Sequence, residues 1–435
     1  MKKAIINAFV LFIFWAILYV ITVFVAVRTV TLNPINGIKP FFFTLFLFSL
    51  IYNKYWNLKG ITGYLLVTKT VRYIIVFFLV FGFLNYSYSI VLRSLGFFNE
   101  LTAIKYAGWV GKPQTDDDTL GLVHVKNARG QHTYPIGENI PITYNSQGFR
   151  VAPSDTNFVA IKDAVDALFL GCSWTFGDAC QAEQTFPYLV GKNGQLSVVN
   201  AGVCSYGLSQ MYLLSERLIP KLRPKYTIVQ YSPWLVERGT SIGAPAPTFL
   251  PVSYFYEKGD SLALQYPVQK TQIFTINRDE VRQKYTGRKW SFIVGYGIPF
   301  FMREDLSYLY YRLPAWLGGP PAPSKDKKKV ERMVYRLIIK NIRNQGSIPV
   351  VVCMGDRKYS QTARQVIGDP AAIIVNADEV LWAKLDTKNP DGYSRRYQHW
   401  RKQNPGDKDS VLIDGHPNPL AHRIVANEIL KKIKK

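Results

Sequence analysis

The stretch Phe169-Leu170-Gly171-Cys172-Ser173-Trp174-Thr175-Phe176-Gly177 decides how this chain is read. The apolar run Ala167–Gly171 has the length of one buried strand and stops at a glycine, where the backbone can turn sharply. A serine follows, where a helix can begin. In an open α/β sheet that point is the carboxyl edge of a strand, where ligands bind. A serine there offers its hydroxyl to a substrate and its own backbone N–H to an oxyanion. Ser is a weak nucleophile at neutral pH, so the reading requires a base elsewhere in the chain.

Working outward, short apolar runs recur at Leu196–Asn200, Tyr226–Tyr231, Ile348–Met354 and Val411–Ile413. Helical periodicity falls between or after them, near Leu208–Leu222, Lys329–Asn344 and Pro419–Ile433. Short buried strands alternating with helices predict an α/β domain built on a parallel sheet, over residues 166–435. Residues 238–328 interrupt the alternation with aromatic, Gly and Pro residues, and are too long for an ordinary α/β connection. They read as an insertion, either a substrate lid or a cover for the sheet edge. Residues 96–165 read as a connector of short strands and loops, in which Tyr144-Asn145-Ser146-Gln147-Gly148-Phe149-Arg150 is a turn leading into an extended piece.

The chain has five histidines: His124, His132, His399, His416 and His422. His416 lies in Val411-Leu412-Ile413-Asp414-Gly415-His416-Pro417-Asn418, with a carboxylate two residues before it. Asp414 can orient the imidazole and stabilise its charged form. The plainer alternative is a turn followed by a helix start. No spacing suits a metal, and no cofactor is expected. His422 falls on the C-terminal helix as a packing or surface residue. Cys172 reads as a small buried side chain rather than a thiol nucleophile, and a Cys180–Cys204 disulfide stays open.

Three blocks thus occur in order, each after a predicted strand: Ser173, then Asn200-Ala201-Gly202, then Asp414-Gly415-His416-Pro417-Asn418. Together they resemble the SGNH (GDSL-type) esterase and acyltransferase superfamily over about residues 166–435. The Gly-Cys-Ser-x-Thr-Phe-Gly form, preceded by Asn-x-x-Gly-Phe-Arg, is similar to membrane-anchored bacterial members. The resemblance implies a three-layer α/β/α fold with Ser173 as nucleophile and first oxyanion N–H, His416 as general base and Asp414 as its orienter. It places Asn200 and Gly202 on the oxyanion and binding side, and puts Ser205 where the family supplies a Gly N–H. Two departures stand out. Cys172 occupies the usual Asp position, and the third block, Gln230-Tyr231-Ser232-Pro233-Trp234, has no Asn to complete the oxyanion hole. Loss of one such donor costs about 10²–10³ in turnover. The two-residue Asp–His spacing resembles members that act in exopolysaccharide O-acetylation.

The 435 residues carry 53 Lys+Arg against 30 Asp+Glu, a net charge of +23. Such an excess first suggests nucleic acid, but its distribution excludes that. Residues 1–99 hold nine basic residues and no acidic one, and they are also the most apolar part of the chain. Ala4–Val27 is 24 residues without a charge, and Tyr73–Leu92 is 20. Each can cross a hydrocarbon core of about 30 Å. Pro40–Asn53, 14 residues long, crosses only if Lys39 and Lys54 snorkel. Three spans, near 4–27, 38–55 and 72–93, put the heavier basic segments on one side. That predicts a membrane region over 1–95 with an extracytoplasmic C-terminal domain, as in a multi-pass bacterial inner-membrane protein. The expected partners are a lipid bilayer and an acylated envelope glycan or lipid. The expected activity is that of a serine esterase or O-acyltransferase. The competing expectation is an SGNH-fold carbohydrate- or envelope-binding protein weakened in catalysis.

Overall fold

The computed structural model describes residues 82–83, 85–99, 114–132, 140–154, 164–244, 250–267, 278–402 and 407–434. The expected spans at 4–27 and 38–55 lie outside the described residues, and the one at 72–93 is described only from residue 82. Among the described residues no helix is long and apolar enough to cross a membrane. The chain divides into two compact units, residues 1–99 with Lys289–Phe301, and Glu100–Arg288 with Met302–Lys435.

The larger unit is mixed α/β. Its connector strands are β1 (Gln114–Asp117), β2 (Gly121–His124), β3 (Arg129–His132), β4 (Ile140–Tyr144) and β5 (Arg150–Val151). They form a two-stranded and a three-stranded antiparallel sheet. The central sheet contains β6 (Ala167–Leu170), β7 (Val198–Asn200), β8 (Tyr226–Tyr231), β11 (Ile348–Cys353) and β12 (Ile373–Asn376). Its order is β12-β11-β8-β6-β7 and every pairing in it is parallel. Between β8 and β11 the chain forms the hairpin β9 (Tyr254–Lys258) and β10 (Ser261–Gln265), followed by helical segments.

Side chains of the central strands alternate between two cores, as a period of two requires. Leu168, Leu170, Val229, Tyr231, Val351 and Cys353 face one cluster. Ala167, Phe169, Ile228, Val350, Val352 and Val375 face the other. Helices Leu208–Leu222 and Lys327–Asn344 cover the first face through residues such as Met211, Leu214, Val334 and Ile338. Helices Phe186–Gly194 and Pro419–Ile433 cover the second through Phe186, Val190, Val425 and Ile429. Burial on both faces explains why these strands read as unbroken apolar runs.

One strand differs from expectation. Val411–Ile413 is not part of the parallel sheet. It belongs to β14 (Ser410–Asp414), paired antiparallel with β13 (His399–Lys402). The reason is burial: β14 is not covered on both faces, and Leu412 is 45% exposed. The fifth parallel strand is β12, whose Ile373-Ile374-Val375 run carries the same apolar signal.

His422 is buried on the Pro419–Ile433 helix, stacked on Phe186, and its Nδ1 accepts from the Phe186 N–H at 3.2 Å. Burial lowers its pKa from 6.5 to about 3. The folded ring therefore stays neutral where the unfolded one binds a proton. Stability is unaffected above about pH 6.5 and falls as pH drops from there toward 3, with a slope of about 1.4 kcal/mol per pH unit. In urea unfolding at pH 7 and pH 5, His422→Gln is expected to lose less stability on acidification than the wild type.

Candidate active site

The site forms at the carboxyl edge of the central sheet, where β6 leads into a single helical turn, Ser173–Phe176. Gly171 makes this turn possible. A Cβ there would lie 2.0 Å from Thr175 Oγ1 and 2.6 Å from Gln230 Oε1. Gln230, at the end of β8, holds the turn from below. Its Oε1 accepts from the Cys172 N–H at 3.0 Å and from Thr175 Oγ1 at 2.8 Å, while its Nε2 donates to Ser232 Oγ at 2.9 Å. Gln230→Ala leaves two buried donors unpaired, and each is expected to cost about 1–3 kcal/mol. Chemical denaturation reads that loss.

His416 Nε2 lies 2.9 Å from Ser173 Oγ, and His416 Nδ1 lies 2.6 Å from Asp414 Oδ1. The short Asp–His spacing works because Asp414 Oδ1 also accepts from the His416 backbone N–H at 2.8 Å. This side-chain-to-backbone turn folds the carboxylate back onto its own imidazole. With Nδ1 protonated toward Asp414, the Nε2 lone pair faces the serine hydroxyl. Asn418 then caps the C-terminal helix, accepting from the Ala421 N–H at 3.1 Å, and ties the loop to Arg396 and Gln398 carbonyls. The side chains of His416 and Asp414 are 27% and 13% exposed, so the imidazole is reachable while the carboxylate is sheltered.

The second-block residues sit beside the Ser173 turn. Asn200 Nδ2 donates to the Phe176 carbonyl at 3.3 Å, and Asn200 Oδ1 accepts from the Gly202 N–H at 3.0 Å. A Cβ on Gly202 would lie 2.4 Å from the Phe176 nitrogen. Asn200 and Gly202 thus lock the loop against the serine turn, and the Gly202 N–H is directed at Asn200. Ser205 adopts φ +71°, a left-handed conformation that glycine takes without penalty. A serine held there stores strain of order 1 kcal/mol. The third block continues after β8 as Ser232-Pro233-Trp234, with no Asn. Trp234 Nε1 donates to Cys172 Sγ at 3.3 Å, and its ring packs on Trp174 at 4.8 Å.

Sequence reasoning missed three residues here. Gln230 lay inside a run read as apolar. Arg150 ends the Asn-x-x-Gly-Phe-Arg stretch, which reads as a turn leading into an extended piece and assigns the arginine no part in the site. It is buried, its Nη1 donates to the Phe176 and Gly177 carbonyls at 2.8 and 2.6 Å, and its Nη2 donates to the Cys180 carbonyl at 2.5 Å. Its guanidinium also lies 4.4 Å from the Phe176 ring centroid. Asp178, also buried, places Oδ2 3.9 Å from His416 Nε2, and Cys204 Sγ donates to the same oxygen at 3.6 Å. All four cysteines are free thiols, so Cys180 and Cys204 are not joined. Burial pushes the Cys180 thiol up to about 12. Among the described residues no group of His, Cys, Asp and Glu could hold a metal.

No protein-family model matches the chain, and no curated protein does. Solved structures are similar to it at low identity. A G-D-S-L family lipolytic protein from Desulfitobacterium hafniense is 11% identical over 61% of this chain and 98% of its own, with a TM-score of 0.29. TesA is 10% identical over 62% and 98%, at 0.32. The acetylxylan esterase Axe2 from Geobacillus stearothermophilus is 11% identical over 62% and 94%, at 0.32. Superposition this loose leaves the chemistry to the side chains of the chain itself.

Proposed function

We propose that the chain is a membrane-anchored serine esterase or O-acyltransferase acting on ester-linked acyl groups of an envelope glycan or lipid. The observation that carries this is the hydrogen-bonded relay Ser173–His416–Asp414, at 2.9 and 2.6 Å. A hydroxyl, an imidazole and a sheltered carboxylate in that order form an activated nucleophile. Ser173 Oγ attacks the acyl carbonyl as His416 Nε2 takes its proton, and Asp414 stabilises the imidazolium. Collapse of the tetrahedral intermediate returns that proton to the leaving alcohol and leaves an acyl-serine. Water or a sugar hydroxyl, deprotonated by His416, then releases the acyl group. The Ser173 backbone N–H is one oxyanion donor, and Ser205 stands where the family has its second.

The half-buried Trp174 and Trp234 pair beside the serine supports a substrate with an apolar acyl chain or a sugar face. The uncharged runs and basic flanks of residues 1–95 support anchoring in a membrane, with the catalytic unit outside the cytoplasm. The test is labelling of the full chain in detergent with a fluorophosphonate. The expected result is one covalent adduct, on Ser173, together with turnover of a short-chain nitrophenyl ester. Folded protein that forms no adduct overturns the proposal. A second reading, a glycan-binding protein without turnover, is favoured by the third block, which has no Asn after β8. It would show saturable binding of an acetylated glycan with neither adduct nor hydrolysis.

A further inference from the structure

We propose that Lys289–Phe301 is a membrane-interfacial segment, seated in the headgroup region of a bilayer containing anionic lipid, beside residues 85–99. The inference rests on the membrane reading above and assigns a role to part of the insertion. Between Lys289 and Arg303 run 13 residues, Trp290–Met302, without a charge. That is too short to cross a bilayer, for which about 20 are needed, and suits a segment lying at its surface.

Within its own unit this segment is folded onto residues 85–99. The Phe97 ring lies 6.0 Å from Phe292, 6.4 Å from Tyr296 and 5.9 Å from Phe300. A Cβ on Gly297 would meet the Ser94 Cβ at 2.6 Å, so the two backbones approach as closely as glycine allows. Arg93 lies over the Phe301 ring at 4.4 Å. These contacts use one side of each element and leave large apolar side chains outside. Trp290 and Val294, four residues apart, are 69% and 67% exposed. On the other element Phe83 and Tyr88 are 68% and 63% exposed.

Two features select a bilayer as the occupant. Phe83 and Tyr88 belong to the uncharged run Tyr73–Leu92, so the exposed surface of the segment continues from a stretch long enough to enter lipid. Charge is one-sided as well: residues 85–99 and 289–301 contain Arg93 and Lys289 and no Asp or Glu, which complements anionic headgroups. Tryptophan at the edge of such a segment is favoured at the interface, where its ring is apolar and its N–H stays wet.

The test places a photoreactive benzoylphenylalanine at Val294, at Phe83 or at the exposed Lys408 in the full chain. Each variant is reconstituted in phosphatidylcholine–phosphatidylglycerol vesicles carrying a fluorescent lipid. Thermal melting identifies folded variants. The expected result is lipid crosslinking at Val294 several-fold above the Lys408 control. Lipid adducts at Phe83 with none above control at Val294 overturn this inference and leave the membrane reading standing. Crosslinking at Val294 to a second copy or another protein in place of lipid also overturns it. Absence of lipid adducts at both positions, with release of the chain by alkaline carbonate, overturns the membrane reading and this inference with it.

Discussion

Ser173→Ala is expected to lower ester turnover by about 10⁴-fold or more and to abolish fluorophosphonate labelling, with the melting temperature essentially unchanged. The size follows from the geometry. Ser173 Oγ is the atom within 2.9 Å of the imidazole, and no neighbouring group replaces it. Cys172 is the nearest rival, yet its sulfur is 3.9 Å from Ser173 Oγ and already accepts from Gln230 Nε2 and Trp234 Nε1 at 3.2 and 3.3 Å. Removing the hydroxyl opens little space and breaks no lattice of buried bonds, so stability should hold. Asp414→Asn in parallel is expected to lose a similar factor, about 10⁴, because a neutral amide no longer fixes the tautomer or stabilises the imidazolium. Steady-state hydrolysis of a nitrophenyl ester measures both. Retention of more than a tenth of wild-type turnover by Ser173→Ala would end the case for an acyl-serine intermediate.

The second large effect lies outside the triad. Arg150→Ala is expected to destabilise the chain by about 3–5 kcal/mol, because it strips a buried cation from the carbonyls and carboxylate arranged around it. For a domain of this size that corresponds to a fall of roughly 10 °C in melting temperature. The Phe176, Gly177 and Cys180 carbonyls it serves lie at the end of the Ser173 turn and just after it. Asp178 among them loses the positive charge that faces it. Arg150→Lys keeps the charge but cannot fork to three oxygens at once. It is expected to recover part of the stability while the labelling rate of Ser173 stays well below wild type. Differential scanning calorimetry and labelling kinetics separate the two effects. An Arg150→Lys variant that labels at the wild-type rate would remove Arg150 from any role in aiming the serine.

What could be read from the sequence follows from distance along the chain. The Ser173 turn and the Asp414–His416 loop each combine a short apolar run with a polar residue at its end, so their local chemistry is complete within about ten residues. Helices Leu208–Leu222 and Pro419–Ile433 carry their own periodicity and caps. Arg150 and Gln230 gave no such signal. Arg150 acts 26 to 30 residues away, and Gln230 acts on a turn 55 to 58 residues away. A polar residue in an otherwise apolar strand was the available clue to Gln230, since a buried amide must find partners. A buried arginine in a turn cannot be told from a solvated one without its neighbours. The strand at Val411–Ile413 was assigned to the wrong sheet because an apolar triplet looks the same whether one face or both are covered.

His416 and Asp414 share one short loop, and that loop is held between β14 and the Pro419–Ile433 helix. The serine lies 243 residues earlier. During synthesis Ser173 is therefore made well before the residues proposed to activate it. A chain clipped before Asp414 is expected to lose fluorophosphonate labelling of Ser173. The proposed mechanism thus makes labelling of Ser173 a readout of a loop far along the chain: it is expected only where β14 and the Pro419–Ile433 helix hold His416 against the serine.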